Sequence, residues 1–264
     1  MRLVWIAFTC LFSMASAANV PLTEALGNGP PIPAAPKLQA SGYLLVDATN
    51  GEILVEHNAE EPLPPASLTK MMTAYIAERE ITEGRLSFDD QVPVSVKAWK
   101  TGGSRMFIRE GTEVRLEDLL RGIIIQSGND ASVAVAEYIA GSEDVFADVM
   151  NQTAISLGMT NTQFKNATGL PEDGHYTTAK DLSVLAARII QDFPDTYPIY
   201  QEKNFTYNGI KQANRNSLLF RDPSVDGLKT GHTEEAGYCL VASAERDGFR
   251  LISVVMGTAS EKAR

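Results

Sequence analysis

Alternating apolar and polar positions concentrate towards the two ends of the chain. Near the N-terminal end SGYLLVDATNGEILVEHN reads as two strands about a turn at Thr49-Asn50-Gly51, because Asn-Gly supplies the positive φ that a tight hairpin needs. Towards the other end GYCLVASAERDGFRLISVVMG gives two more strands around Asp247-Gly248, and a fifth short strand runs from Val225 to Thr230. Between them the apolar spacing changes to that of helices, over Leu68 to Glu80, Leu116 to Ile124, Ala131 to Ile139, Val145 to Leu157 and Ala179 to Gln191. Strands at both termini with helices between them predict an α+β fold: one antiparallel sheet built from both chain ends and covered by a mainly helical region.

The first residues follow another pattern. Arg2, the apolar stretch LVWIAFTCLFSM and Ala15-Ser16-Ala17 form a secretory signal over residues 1–17, with cleavage expected before Ala18. That stretch is shorter than the roughly 20 residues a membrane anchor needs. Residues 18–37 hold Pro21, Pro30, Pro31, Pro33 and Pro36 among small residues, the composition of an extended leader, so the folded catalytic domain is expected over 38–264. Export predicts a periplasmic or cell-envelope location, with no membrane anchor expected within this chain.

Charge and cysteine content exclude several classes. The formal net charge is −10 and the basic residues are scattered, so nucleic acid is not an expected partner. Loss of Cys10 with the signal leaves Cys239 in an apolar run, a core thiol with no disulfide partner. His57, His175 and His232 do not stand in a zinc-ligand spacing, no metal or other cofactor is expected, and His175 reads as a loop contact. There is no G-x-S-x-G elbow.

Three short stretches carry candidate chemistry. In P-A-S-L-T-K, Pro64 and Pro65 force a helix to begin at or after Ala66, which puts Ser67 in its first turn and Lys70 on the same face three residues on. Apolar neighbours Leu68, Met71, Met72 and Ile76 leave little water for an ammonium, so desolvation and the helix N-terminus both favour the neutral amine, a base for the serine hydroxyl. Alone, this spacing more often marks an N-cap serine and a solvated lysine. The second stretch, GIIIQSGNDASVAVAEYIAG, sets a polar turn between two apolar elements, able to direct Ser127 and Asn129 into one cavity; it also reads as an ordinary capped turn. In the third, VDGLKTGHT, a strand ends in Lys229-Thr230-Gly231, where an extended peptide can pair with the backbone, Gly231 permits close approach and Lys229 supplies charge.

In the order S-x-x-K, S-x-N, K-T-G the three resemble the signature of the serine penicillin-recognising enzymes. Within that group the chain resembles the D-alanyl-D-alanine carboxypeptidases, the low-molecular-mass penicillin-binding proteins of peptidase family S11, from about Leu38 to Gly257. QSGNDASVAVAE, LGMTNTQFKNATGL, FTYNGIKQANRN, VDGLKTGHTEEAGY and FRLISVVMG extend the likeness. The resemblance implies a β-lactamase/transpeptidase-like fold and a substrate, a peptidoglycan stem peptide ending in D-Ala-D-Ala, with β-lactams as covalent inhibitors. It implies that Ser67 is the nucleophile, Lys70 its base, and Ser127 the proton carrier between Lys70 and Lys229. Asn129 would hold the substrate amide, the N–H groups of Ser67 and His232 the oxyanion, and Thr230 with Arg250 the terminal carboxylate, with Gly231 and Lys229 completing the wall.

Two other functions share these motifs. A class A β-lactamase needs a glutamate in E-x-x-x-N, and Glu137, Glu143 and Glu172 are followed four residues on by Gly141, Ala147 and Tyr176. A non-catalytic sensory module is disfavoured by the intact Ser67, Lys70, Ser127 and Lys229. The balance between carboxypeptidase and D,D-endopeptidase action is not legible in the residues. Many relatives carry a further β-rich domain and an amphipathic C-terminal helix that are not expected within these 264 residues.

Overall fold

A computed structural model describes residues 35–264. The signal expected over 1–17 and nearly all of the leader expected over 18–37 lie outside the described residues, and residues 35–37 carry no regular structure. From Lys37 to Arg264 the chain forms one compact unit.

Strands β1 (Gly42–Asp47) and β2 (Glu52–His57) pair antiparallel, as their alternation predicts. Their turn is longer than a two-residue hairpin: among residues 48–51 only Gly51 takes a positive φ, while the side chains of Asp47 and Asn50 accept from the N–H groups of Thr49 and Glu52. The next elements are a 3₁₀ turn, Ala66–Thr69, running directly into α1 (Lys70–Thr82). Every α1 residue from Lys70 to Glu78 is buried, so α1 is a central helix enclosed on all sides.

Then come β3 (Gln91–Pro93), α2 (Val96–Lys100), β4 (Glu113–Arg115) and α3 (Leu116–Arg121). The helix expected to Ile124 stops short as α and widens into a π turn over Gly122–Gln126. Helices α4 (Asn129–Ala140), α5 (Glu143–Ser156) and α6 (Ala179–Asp192) follow, α5 and α6 begun by the side chains of Ser142 and Thr178. A small hairpin, β5 (Asn204–Tyr207) and β6 (Ile210–Ala213), turns at Asn208-Gly209 with both residues at positive φ. Finally β7 (Val225–Thr233), β8 (Gly237–Arg246) and β9 (Phe249–Thr258) return the chain to the sheet, with Asp247-Gly248 as a second turn of the same kind.

The main sheet has the order β2-β1-β9-β8-β7, all antiparallel, so its strands do come from both ends of the chain. Helix α6 packs on β9, β1 and β8, whereas β7 packs on the Ala66–Thr69 turn. Sequence alternation did not disclose the β3–β4 pair, three residues each, because so short a run carries no period.

Candidate active site

The turn that carries Ser67 is tighter than an α-helix, and in a 3₁₀ turn side chains three apart eclipse. Lys70 Nζ accordingly lies 3.0 Å from Ser67 Oγ. It also donates to the Thr168 carbonyl at 2.5 Å. With Lys70 only 1 % exposed, burial and then the charge of Arg215 pull its amine down to about 7, against the opposing pull of Asp130.

The Thr168 carbonyl is placed by its own loop. Asn166 Oδ1 accepts from the N–H groups of Thr168 and Gly169, Glu143 Oε1 accepts from Ala167 N–H, and Thr73 Oγ1 donates to the Ala167 carbonyl. Gly169, at φ +81°, passes so close beneath the Ser67 turn that a Cβ there would stand 1.8 Å from the Ala66 carbonyl oxygen.

Ser127 ends the π turn in the left-handed conformation, φ 66°, which an L-residue adopts at a cost of about 1–3 kcal/mol. The strain aims its hydroxyl into the same cleft, where Oγ is buried and has no hydrogen-bond partner among the described residues. Lys229 is 2 % exposed, and burial together with the charge of Lys70 holds its amine well below the ordinary lysine value. Two amines so placed do not both carry a proton readily.

A cavity of about 260 Å³ opens over these groups and is lined by Ser67, Ser127, Thr230, Gly231 and His232. Gly231 brings β7 against the Ser67 turn: an added Cβ would lie 3.1 Å from the Pro65 carbonyl oxygen and 3.2 Å from the Ala66 Cβ. Asn129 sits behind the wall. Its Nδ2 donates to the Gly102 carbonyl at 2.7 Å and its backbone N–H to the Ser104 carbonyl, so it secures the loop that forms the rim.

Arg250 is not in the cleft, which corrects its assignment to the substrate carboxylate. Its guanidinium is engaged by Asp226 at 2.5 Å, Ser243 at 2.8 Å and Glu245 at 2.6 Å, and it lies over the Tyr197 ring. The register explains why: Leu240 faces Thr230 across β7 and β8, whereas Arg250 faces Glu245, further along β8 by roughly 17 Å. Two other arginines line the cavity instead. Arg264 reaches back to the Gly231 carbonyl at 3.3 Å and lies over the Tyr238 ring, and Arg215 Nε donates to the Gln126 carbonyl at 2.9 Å. No local pattern marks Arg264. Arg215 stands in QANRN, a stretch singled out for resemblance but not for a role.

Among the described residues no three His, Cys, Asp or Glu side chains cluster as metal ligands, and no helix is long and apolar enough to cross a membrane. His175 is the loop contact expected: its Nε2 meets Thr69 Oγ1 at 2.9 Å, and its ring stands edge-on to Phe164. Cys239 is buried and forms no disulfide among the described residues.

Ser67 beside the buried Lys70, with Ser127 facing the same cleft, stands on an α+β transpeptidase-like fold. The chain belongs to the D-alanyl-D-alanine carboxypeptidase family, peptidase family S11, whose profile matches residues 30–260. It is 46 % identical to D-alanyl-D-alanine carboxypeptidase DacA of Escherichia coli K12 over 88 % of this chain and 60 % of that protein. Thus it spans about 60 % of the length of that relative. The crystal structure of the D-alanyl-D-alanine carboxypeptidase DacD from Francisella tularensis superposes with a TM-score of 0.87 at 37 % identity, covering 93 % of this chain and 72 % of that one. Penicillin-binding protein D2 from Listeria monocytogenes, solved in its ampicillin-bound form, gives 0.79 at 32 % identity over 87 % and 94 % of the two chains.

Proposed function

We propose that the protein is a serine-type D-Ala-D-Ala carboxypeptidase that removes the terminal D-alanine from peptidoglycan stem peptides and is acylated by β-lactams. The observation that carries this reading is Lys70 Nζ at 3.0 Å from Ser67 Oγ in a buried setting that lowers its pKa to about 7. The family, the relatives named D-alanyl-D-alanine carboxypeptidase and the ampicillin-bound relative support it.

In this reading Ser67 Oγ attacks the carbonyl carbon between the two D-alanines while its proton passes to Lys70 Nζ. The proton moves on through the Ser127 hydroxyl, which both donates and accepts, to the leaving amine; the C–N bond breaks and an ester remains on Ser67. Water then attacks the ester carbonyl and restores the serine. The backbone N–H groups of Ser67 and His232 hold the oxyanion, a service whose loss costs about 10²–10³ in rate. The substrate strand runs along β7, and Thr230 with Arg264 and Arg215 receives its terminal carboxylate, for which a guanidinium supplies paired donors. Asn129 acts through the rim loop it secures. Glu137, Glu143 and Glu172 do not stand in E-x-x-x-N, so rapid turnover of a β-lactam is not expected. Action on cell-wall peptide goes with export to the periplasm or cell envelope and with catalysis by the unit that begins at Lys37.

The test is release of free D-alanine from a peptide ending in D-Ala-D-Ala, together with covalent labelling by a fluorescent penicillin. Both are expected to vanish in Ser67→Ala. Labelling that persists in that variant overturns the nucleophile, and cleavage of an internal cross-link without D-alanine release makes the enzyme an endopeptidase.

A further inference from the structure

The rim segment between α2 and β4 has a second face. Ser104 lines the cleft, while the next side chain, Arg105, lines a separate recess of about 320 Å³ between α2 and the tip of the β5–β6 hairpin. Three large apolar side chains stand open there: Trp99 is 37 % exposed, Phe107 50 % and Ile210 43 %. Grouped exposure of this kind marks a binding surface more often than scattered apolar residues do.

The recess is held rigidly and at a cost. Phe107 has φ 70°, a conformation worth about 1–3 kcal/mol of strain for such a residue. It is kept there by the buried carboxylate of Asp130, which accepts from the N–H groups of Met106, Phe107 and Ile108 at 3.0, 2.9 and 3.2 Å. Gln212 of β6 donates to the Arg105 carbonyl at 3.0 Å and so fixes the hairpin to the rim. A strained backbone that turns an aromatic ring outwards from a clamped loop is not explained by packing.

Charge narrows the ligand. Arg105 and Arg109 both line the recess. Arg115 and Arg121 hold Glu117, whereas among the described residues neither Arg105 nor Arg109 has a carboxylate within ion-pair distance. In a chain of net charge −10, two unpaired guanidiniums beside open aromatic faces call for an anionic ligand with a ring to stack. A pyranose bearing a carboxylate-rich peptide has both parts: its C–H face packs on the electron-rich faces of Trp99 and Phe107, and its carboxylates meet the arginines. A polyphosphate would leave the aromatic faces unused.

We propose that this recess is a distal subsite for the sugar-bearing, acidic end of the wall fragment whose D-Ala-D-Ala end enters the cleft. This rests on the function proposed above, and the shared rim segment supplies the continuity between the two sites. The probe is a soluble N-acetylglucosaminyl-N-acetylmuramoyl tripeptide with no D-Ala-D-Ala terminus, titrated into the whole protein and followed by tryptophan fluorescence against a Trp99→Phe baseline. A saturable change is expected with the disaccharide tripeptide and not with the free tripeptide, and it persists after penicillin has acylated Ser67. In Arg105→Ser/Arg109→Ser the dissociation constant is expected to rise about tenfold, while the rate of penicillin acylation stays within twofold of the unmodified protein. The subsite is overturned by absence of a saturable change, by its loss on acylation, by equal affinity in the double variant, or by tighter binding of poly(glycerol phosphate). Failure of penicillin to label the unmodified protein would instead overturn the function proposed above, and the titration would still decide the recess.

Discussion

Lys70 carries its amine into a place where burial outweighs the opposing charge of Asp130 and lowers its pKa to about 7. Because only the neutral amine takes the proton of Ser67, penicillin acylation is expected to rise with pH through about 7 and level off above it, as stopped-flow labelling across that range would show. Lys70→Arg is expected to lower acylation by about 10³-fold, since a guanidinium does not deprotonate near neutrality; wild-type rates in that variant would remove the amine from the role of base. The two arginine positions separate by the same logic. Arg264→Ala is expected to raise KM for a D-Ala-D-Ala peptide by about tenfold or more, the loss of one charged hydrogen bond. Arg250→Ala leaves KM in place and instead lowers thermal stability, because it strands Asp226, which is also bonded by Tyr197.

Among the elements, the Ser67 turn and the 166–170 loop are a single device. The turn begins at Ala66 with φ 46°, and Gly169 crosses beneath it with no room for a side chain. Gly169→Ala combines a left-handed backbone with a clash on the Ala66 carbonyl; Tm is expected to fall by roughly 5 °C or more, with acylation slowed because Thr168 no longer meets Lys70. Gly158→Ala serves as the control, with the same left-handed backbone, φ +82°, and no atom within 4 Å of the added Cβ. An unchanged Tm and rate in Gly169→Ala would show that the loop is looser than its geometry indicates. The π turn acts likewise on Ser127. An α-helix continued through Gly122–Gln126 would carry that hydroxyl round to another face, whereas the wider turn and its left-handed end set it in the cleft that Ser67 lines.

Across the whole molecule α1 joins the turn that carries Ser67 to β7 through a buried carboxylate. Glu78 accepts from Thr196 Oγ1 at 2.8 Å and Tyr200 OH at 3.0 Å, and the adjoining Tyr197 OH donates to Asp226 on β7. Burial raises the Glu78 pKa from 4.5 to about 7, so the folded state binds the extra proton and stability falls as pH rises between those values, by roughly 3 kcal/mol in all. His175 opposes it. Burial, with Lys165 and Lys70, lowers its pKa from 6.5 to about 4, so the folded state binds less proton and stability is lost as pH falls through that range. Between about 4.5 and 6.5 the two slopes offset each other. Glu78→Gln is expected to leave the His175 slope exposed, seen as an unfolding free energy that climbs with pH across that window in denaturant titrations. A profile parallel to the unmodified protein's would mean that Glu78 is ionised at no cost.

The sequence by itself determined the outline: strands at both ends, helices between, and the turns at Asn50-Gly51 and Asp247-Gly248, because period and turn chemistry are local. It also determined the pairing of Ser67 with Lys70, since two prolines fix where the turn starts and three residues bring the side chains together. The tertiary structure alone decided which cations face the cleft. Arg250 satisfies any pattern for a strand-borne carboxylate ligand, yet strand register sends it to Asp226 and Glu245. Arg264, which no pattern marks, returns to the Gly231 carbonyl because the chain doubles back after β9. The Thr168 carbonyl on Lys70 and the strained hydroxyl of Ser127 belong to the same class. They depend on contacts between segments far apart in the chain, and no short-range preference of the residues encodes those contacts.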